Sequence, residues 1–266
     1  MEENINAYFE LLKEKISNKS ITVGVIGLGY VGLPLALNIC ERDIKVIGFD
    51  INETYLEKLN RGESYIHHIQ SSRLSNQISR GYLKGTIDFE IIKETDIIVV
   101  CVPTPLNKYR EPDLSYISAT MESIRPYLKK GQILILESTT YPGTTEERIK
   151  PILLDEGFTV GNNIFLVYSP EREDPGNKLF KAEHIPKVLG GCTDKCACLG
   201  KLFYESITKN VFTMSSTKAA EMTKLVENIH RAVNIGLMNE LKILSDSLGI
   251  DIYEVIRAAS TKPFGF

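Results

Sequence analysis

The sequence predicts an α/β fold, a doubly wound, mostly parallel sheet followed by a long-helix, all-α segment. Three observations carry that expectation. Short apolar runs near residues 21–27, 44–50, 97–102, 133–138, 164–168, 186–191 and 210–214 alternate with helical stretches. That is the pattern of strands covered on both faces by crossover helices. The first run leads into a glycine-rich turn, Gly27-Leu-Gly29-Tyr30-Val31-Gly32, that opens a helix. After Met214 the alternation stops: from about Ser216 to Leu248 there is no proline, one glycine (Gly236), and apolar residues recur at helical spacing.

Taken in order, residues 5–16 read as a short amphipathic helix ahead of the first strand. Glu2, Glu3 and Glu10 sit where a signal peptide needs a basic start and an apolar core. The strand beginning at Ile21 then meets the glycine turn. Gly27 permits the tight bend, Gly29 lets backbone approach a pyrophosphate, and Gly32 lets the helix pack close to the strand. The helix N-terminus adds unpaired N–H groups and a partial positive charge. The next apolar run, Ile44–Phe49, ends on Asp50. A carboxylate there accepts from a ribose 2′-hydroxyl and repels a 2′-phosphate, so it favours NAD over NADP. A tight turn of purely structural purpose is the alternative for the glycines alone.

Asn52 is placed to cap a helix through Leu56 and Leu59 that Gly62 stops. Residues 62–85 read as a polar, poorly periodic excursion, with His67 and His68 at the surface or in packing. Beyond the run at 97–102 comes Cys101-Val102-Pro103-Thr104-Pro-Leu106. Ligands of open α/β sheets bind past the carboxyl ends of strands, which puts Thr104 in reach of phosphate or ribose. A proline-stiffened loop with a solvated threonine accounts for this segment equally well. Glu137-Ser138-Thr139-Thr-Tyr-Pro-Gly-Thr144-Thr145 leaves the strand Ile133–Leu136 in the same way, with Thr144 or Thr145 expected to cap a helix starting near Glu146. Tyr168-Ser-Pro-Glu171-Arg-Glu-Asp-Pro-Gly176 is a strand-end loop crowded with carboxylates. A solvated loop is the plain reading, and Glu171, nearest the strand, is the candidate acid/base.

A helix from 216 to 248 is on the order of 50 Å long and must bridge or pack beyond one small domain. Gly249 ends it, and Asp251 caps a further helix, Ile252–Ala259. The expected domains are an N-terminal helical extension (1–20), a dinucleotide-binding domain (21–215) and a helical segment (216–266). Lys224 and Asn228 share one face of the long helix, and Glu221 and Arg231 extend that stripe. The stripe reads either as solvent-facing or as chemistry suited to alcohol oxidation. In the second case the lysine holds the hydroxyl proton and the amide orients the oxygen.

Composition narrows the partners. Lys+Arg 31 against Asp+Glu 34, without a basic patch, makes nucleic acid an unexpected partner. The apolar runs are strand-length, so no membrane span is expected. Five cysteines without a disulfide pattern suit a reduced, cytoplasmic protein. Cys192-x-x-x-Cys196-x-Cys198 lacks a standard zinc spacing, and no metal is expected.

Together these segments resemble the UDP-glucose/GDP-mannose dehydrogenase family, and within it the UDP-sugar 6-dehydrogenases. The resemblance rests on Gly-Leu-Gly-Tyr-Val-Gly32, Cys-Val-Pro-Thr-Pro-Leu106 with Asn-Lys-Tyr-Arg-Glu-Pro-Asp113, and Glu-Ser-Thr-Thr-Tyr-Pro-Gly-Thr-Thr145. It extends through Tyr-Ser-Pro-Glu-Arg-Glu-Asp-Pro-Gly-Asn177 and Ser-Ser-Thr-Lys-Ala-Ala-Glu-Met-Thr-Lys-Leu-Val-Glu-Asn228. It runs from Ile21 to Phe266 and is most similar to the branch that converts UDP-N-acetylglucosamine to UDP-N-acetylglucosaminuronic acid.

The resemblance implies a Rossmann-type NAD domain, a UDP-sugar substrate and two successive hydride transfers at C6, with a cysteine thioester between aldehyde and acid. It implies cofactor contacts at Gly27, Gly29, Tyr30, Val31, Gly32, Asp50, Val102, Pro103, Thr104, Ser138 and Thr139. Glu171 would be the acid/base working through a water. Lys224 and Asn228 would hold the reacting oxygen, with Thr139 beside the reaction, and the long helix 216–248 would form a homodimer. The family's cysteine lies in a Gly-Gly-His-Cys loop past the segment matching Thr261–Phe266, and none of the five cysteines matches it. The expectation is therefore an N-terminal portion, without the UDP-binding domain, that binds NAD and does not complete the oxidation. A β-hydroxyacid dehydrogenase, and a non-catalytic NAD-binding or dimerisation module, are the competing expectations.

Overall fold

The computed structural model describes residues 6–172 and 185–264. Its helices and strands alternate through most of the chain. They run α1 (Ala7–Ser17), β1 (Thr22–Ile26), α2 (Gly32–Cys40), β2 (Lys45–Phe49), α3 (Glu53–Asn60), α4 (Ser71–Ser79), β3 (Leu83–Thr86), β4 (Ile97–Val100), α5 (Ser115–Ile124) and β5 (Gln132–Leu136). After these come α6 (Lys150–Asp155), β6 (Ile164–Tyr168), β7 (Lys187–Gly191), α7 (Asp194–Glu205), β8 (Val211–Met214), α8 (Thr217–Ser247) and α9 (Ile252–Ala259).

The described strands make one sheet in the order β3-β2-β1-β4-β5-β6-β7-β8. All neighbours are parallel except β6 and β7, which pair antiparallel. The winding reverses between β1 and β4, which makes their carboxyl ends the switch point where open α/β sheets bind ligands. Every residue of β4, β5 and β6 is buried, which is why these strands read as unbroken apolar runs rather than alternating ones. The two faces carry separate cores, one around Leu33, Leu37, Val99 and Phe165, the other around Phe49, Val100, Met121 and Leu166.

The fold class matches the expectation, and several element ends follow their predicted chemistry. Asn52 caps α3 by accepting from the amide of Tyr55, and Gly62 follows the helix at φ 76°. Asp251 caps α9 through the amide of Tyr253, and Gly249, just past α8, sits at φ 69°. The excursion at 62–85 is a correction, because it contains α4 and β3. Helix α4 is polar, with Leu74 as its buried apolar residue, and Arg73 ties it to Glu41 (2.9 Å) and to Asn38. Strand β3 is an edge strand with little pattern of its own. Parallel pairing to β2 and an Asn60 side chain bonded to both the N–H and the C=O of Gly85 hold it in place.

A second correction concerns the turn after β5. Thr145–Ile149 is a π-helical turn, and neither Thr144 nor Thr145 caps it with a side chain. The Thr144 hydroxyl donates to the carbonyl of Tyr141, and Thr145 donates to Glu221. Contacts divide the chain into two compact units, Met1–Lys224 and Leu225–Phe266. The second consists of the rest of α8 with α9. No described helix is long and apolar enough to cross a membrane.

Candidate active site

The glycine turn is stapled to the end of β2. The amide of Gly27 donates to the carbonyl of Phe49 at 2.8 Å, and the amide of Leu28 to Asp50 Oδ2 at 2.7 Å. Asp50 Oδ1 accepts from Asn52, so its carboxylate is fixed at the strand end and half-buried. Gly27 needs its glycine on two counts, a φ of 89° and a Cβ that would lie 2.9 Å from the carbonyl oxygen of Cys101. At Gly32 a Cβ would lie 1.8 Å from the carbonyl oxygen of Gly27. Gly29 differs: a Cβ there would meet nothing within 4 Å, which leaves open space over the turn.

Helix α2 begins at this opening with no side-chain cap and no acidic residue in its first turn, so its N-terminal field is left to an anion. Tyr30, exposed on the turn, stacks on His68 with centroids 5.9 Å apart. These features fit a dinucleotide pyrophosphate over Gly29 and a ribose at Asp50.

Two hydroxyl bonds join the loops leaving β4 and β5. Ser138 donates to the carbonyl of Val102 and Thr104 to that of Thr139, both at 2.6 Å. Val102, Pro103, Thr104, Ser138 and Thr139 thus form one wall, in which Thr139 is exposed and Ser138 buried.

Past β6 the structure brings Glu171 and Lys224 together. The Lys224 ammonium donates to the backbone carbonyl of Glu171, so this lysine is not on a purely solvated face. The Glu171 carboxylate accepts from its neighbouring amide, Arg172, and from Lys187 at 3.2 Å. Residues 173–177 of the carboxylate-rich loop lie outside the described residues, as do Gly265 and Phe266. Asn228 is one helical turn past Lys224 and accepts from Arg231.

Glu221 corrects the idea of a solvent-facing stripe, because it is fully buried. Its carboxylate accepts from the amides of Gly143 and Thr145 and from the Thr145 hydroxyl. Burial pushes its pKa up, against the pull of those donors.

Sequence reasoning missed three residues linked to Glu171 through Lys187. Glu137, directly after β5, has a side chain with no exposure and pairs with Lys187 at 3.0 Å. Tyr204 of α7 donates to the same Glu137 oxygen, and the Lys187 ammonium lies 5.2 Å from the Tyr204 ring centroid. Burial raises the Glu137 pKa in spite of Lys187. Burial opposes the charge of Lys187 in turn, yet Glu137 and Glu171 more than offset it and hold the ammonium above its usual range. The one local signal was a carboxylate directly after the apolar run Ile133–Leu136.

Most of the described cysteines are poor thiolates. Cys101 beside the turn is buried, and burial together with the charge of Glu137 pushes its thiol well up. Burial raises Cys40 and Cys192 to about 12 each, and Cys196 upward as well. Cys198 is exposed on α7. Among the described residues, no three His, Cys, Asp or Glu side chains are grouped to hold a metal ion.

Comparison with known proteins adds the family. Residues 21–208 match the NAD binding domain of the UDP-glucose/GDP-mannose dehydrogenase family, and residues 218–266 match its central domain. A UDP-N-acetyl-D-glucosamine 6-dehydrogenase of Pseudomonas aeruginosa is 39% identical over 246 residues, 92% of this chain and 57% of that protein. A UDP-N-acetyl-D-mannosamine dehydrogenase of Pyrococcus horikoshii is 34% identical over 242 residues, 91% of this chain and 58% of that protein. Among solved structures, the UDP-N-acetyl-mannosamine dehydrogenase Cap5O from Staphylococcus aureus superposes with a TM-score of 0.84 at 36% identity. That match covers 92% of this chain and 60% of the other. The chain thus spans somewhat more than half the length of these relatives.

Proposed function

The chain belongs to the UDP-glucose/GDP-mannose dehydrogenase family, and from that premise we propose that it is the cofactor-holding part of an NAD-dependent UDP-sugar 6-dehydrogenase. The substrate we assign is UDP-N-acetylglucosamine, oxidised at C6 to UDP-N-acetylglucosaminuronic acid for polysaccharide and nucleotide-sugar biosynthesis in the cytoplasm. One observation carries the reading: the loops leaving three adjacent strands, β4, β5 and β6, hold Thr104, Thr139 and Glu171. Residues 21–215 are read as the NAD-binding domain and 216–266 as the helical segment.

In this reading the turn from Gly27 to Gly32, with Tyr30 and Val31, holds the pyrophosphate, and Asp50 holds the adenosine ribose. The wall of Val102, Pro103, Thr104, Ser138 and Thr139 lies along the rest of the cofactor. Bound NAD supplies the hydride acceptor for C6. Glu171 moves the hydroxyl proton through a water, while Lys224 and Asn228 hold the oxygen that develops negative charge. A lysine already bonded to the backbone of the acid/base keeps those two groups in register.

Full conversion of the alcohol to the acid takes two hydride transfers and one water, with a thiolate to capture the aldehyde. Burial keeps Cys40, Cys101, Cys192 and Cys196 protonated, and Cys198 sits on α7. We therefore read these 266 residues as binding NAD without completing the four-electron oxidation unaided. The test is NADH formation when the chain is mixed with NAD and UDP-N-acetylglucosamine, or its mannosamine counterpart. Absence of steady production with NAD binding retained is expected. Steady production by this chain alone would overturn the reading.

The apolar stripe of α8 is read as the homodimer contact. Val233, Leu237 and Leu244 are 62%, 51% and 54% exposed, and such a stripe is costly to leave in water.

A further inference from the structure

The candidate acid/base is held by a second lysine, and that lysine by a second carboxylate. Lys187 opens β7 and reaches Glu171 Oε2 at 3.2 Å and Glu137 Oε1 at 3.0 Å. The three side chains are 13%, 19% and 0% exposed. An ammonium this enclosed is fixed by its two carboxylates rather than by water, so its position transmits the state of one to the other. Tyr204 anchors the far end by donating to Glu137.

We propose that Lys187, backed by Glu137, is the positioning residue of the site: it aims the Glu171 carboxylate and keeps it ionised until it takes the substrate proton. The proposal rests on the reading of Glu171 as the acid/base. Lys224 meets the same residue at its backbone, donating to the carbonyl of Glu171. The Arg172 amide also donates to the Glu171 carboxylate, and its guanidinium donates to the carbonyl of Pro186. Lys224 faces the reacting oxygen, and Lys187 serves the carboxylate.

Glu137 makes the device adjustable. Its second oxygen is buried with no hydrogen-bond partner among the described residues, and burial raises its pKa. Cys101 of the neighbouring loop is held as a neutral thiol, so it adds no charge to the group. Glu137 and Glu171 therefore compete for one ammonium. Taking the charge off Glu137 strengthens the hold of Lys187 on Glu171, and taking the charge off Lys187 removes it.

The test is a carbon-13 NMR titration of the glutamate carboxyls in the 266-residue chain, with Glu171 and Glu137 assigned by the signals lost in Glu171→Gln and Glu137→Gln. An opposite charge at this range lowers a carboxyl pKa by about 1–3 units. Lys187→Met is therefore expected to raise the Glu171 pKa by about one unit or more. Lys187→Arg should largely restore it, and Glu137→Gln should move it the other way. A residue that merely packs would not produce opposite signs. An unmoved Glu171 pKa in Glu137→Gln and Lys187→Met, or shifts in the same direction, would overturn the proposal. Should Lys187→Met fail to fold, Glu137→Gln carries the decision: a lowered Glu171 pKa supports the proposal, and an unmoved or raised one overturns it. Because the titration needs no turnover, it separates this proposal from the catalytic role of Glu171: the shifts arise whether or not Glu171 takes the substrate proton.

Discussion

The Glu221 carboxylate of α8 accepts from the amide of Thr145 at 2.9 Å and from its hydroxyl at 2.7 Å, so one residue of the long helix caps the turn that follows β5. The loop carrying Ser138 and Thr139 runs directly into that turn. Removing the carboxylate leaves the amides of Gly143 and Thr145 buried without an acceptor, each costing about 1–3 kcal/mol. Glu221→Ala is therefore expected to lower unfolding stability by about 2–4 kcal/mol in chemical denaturation, with Glu221→Gln losing less because one oxygen still accepts.

The glycine turn separates a folding requirement from a binding one. Gly32→Ala puts a Cβ 1.8 Å from the Gly27 carbonyl oxygen and should destabilise the fold, whereas Gly29→Ala meets nothing within 4 Å. Gly29→Ala should denature at the wild-type midpoint yet bind NAD at least about tenfold more weakly, a loss of ~1.4 kcal/mol. Equal NAD affinity in Gly29→Ala would show that the pyrophosphate does not lie over the turn.

Asp50 sets the choice of cofactor in this account. Asp50→Asn keeps an acceptor for the Leu28 amide but removes the charge that repels a 2′-phosphate. The ratio of NAD to NADP affinity should narrow by about tenfold, ~1.4 kcal/mol, when both are titrated.

Glu137 gives stability a pH dependence of known sign. Its folded pKa is raised above the ordinary 4.5 by burial, so the folded state holds the proton more tightly than the unfolded chain. Its contribution to stability is therefore full below pH 4.5 and is lost as pH rises through the folded pKa. Glu137→Gln should flatten the fall in denaturation free energy over that interval. An unchanged slope would show that Glu137 titrates as it does unfolded.

The stripe on α8 predicts assembly. Leu237→Lys should convert a dimer to a monomer in sedimentation while leaving the helix intact. A wild-type monomer would contradict the dimer assignment.

Much of this was legible in the sequence because the chemistry is local. The glycine turn, the acid closing β2, the caps at Asn52 and Asp251 and the extent of α8 each need only a few neighbouring residues. Strand β3 and helix α4 were not legible, since Leu83–Thr86 becomes a strand only by pairing with β2 and Ser71–Ser79 is held by Arg73 reaching Glu41. The same limit hid the Lys187 cluster. Glu137, Lys187 and Tyr204 come from three elements far apart in the chain, and nothing around any one of them points to the others. Glu221 was misread because helical spacing gives a face and does not say what lies against it.

The central claim is that this chain holds NAD through the turn from Gly27 to Gly32 and the carboxylate of Asp50. Calorimetric titration of the chain with NAD and, in parallel, with NADP tests it most directly. Saturable binding of one NAD per chain is expected, with NADP weaker by about tenfold or more. No NAD binding, or NADP binding as tightly as NAD, would contradict it.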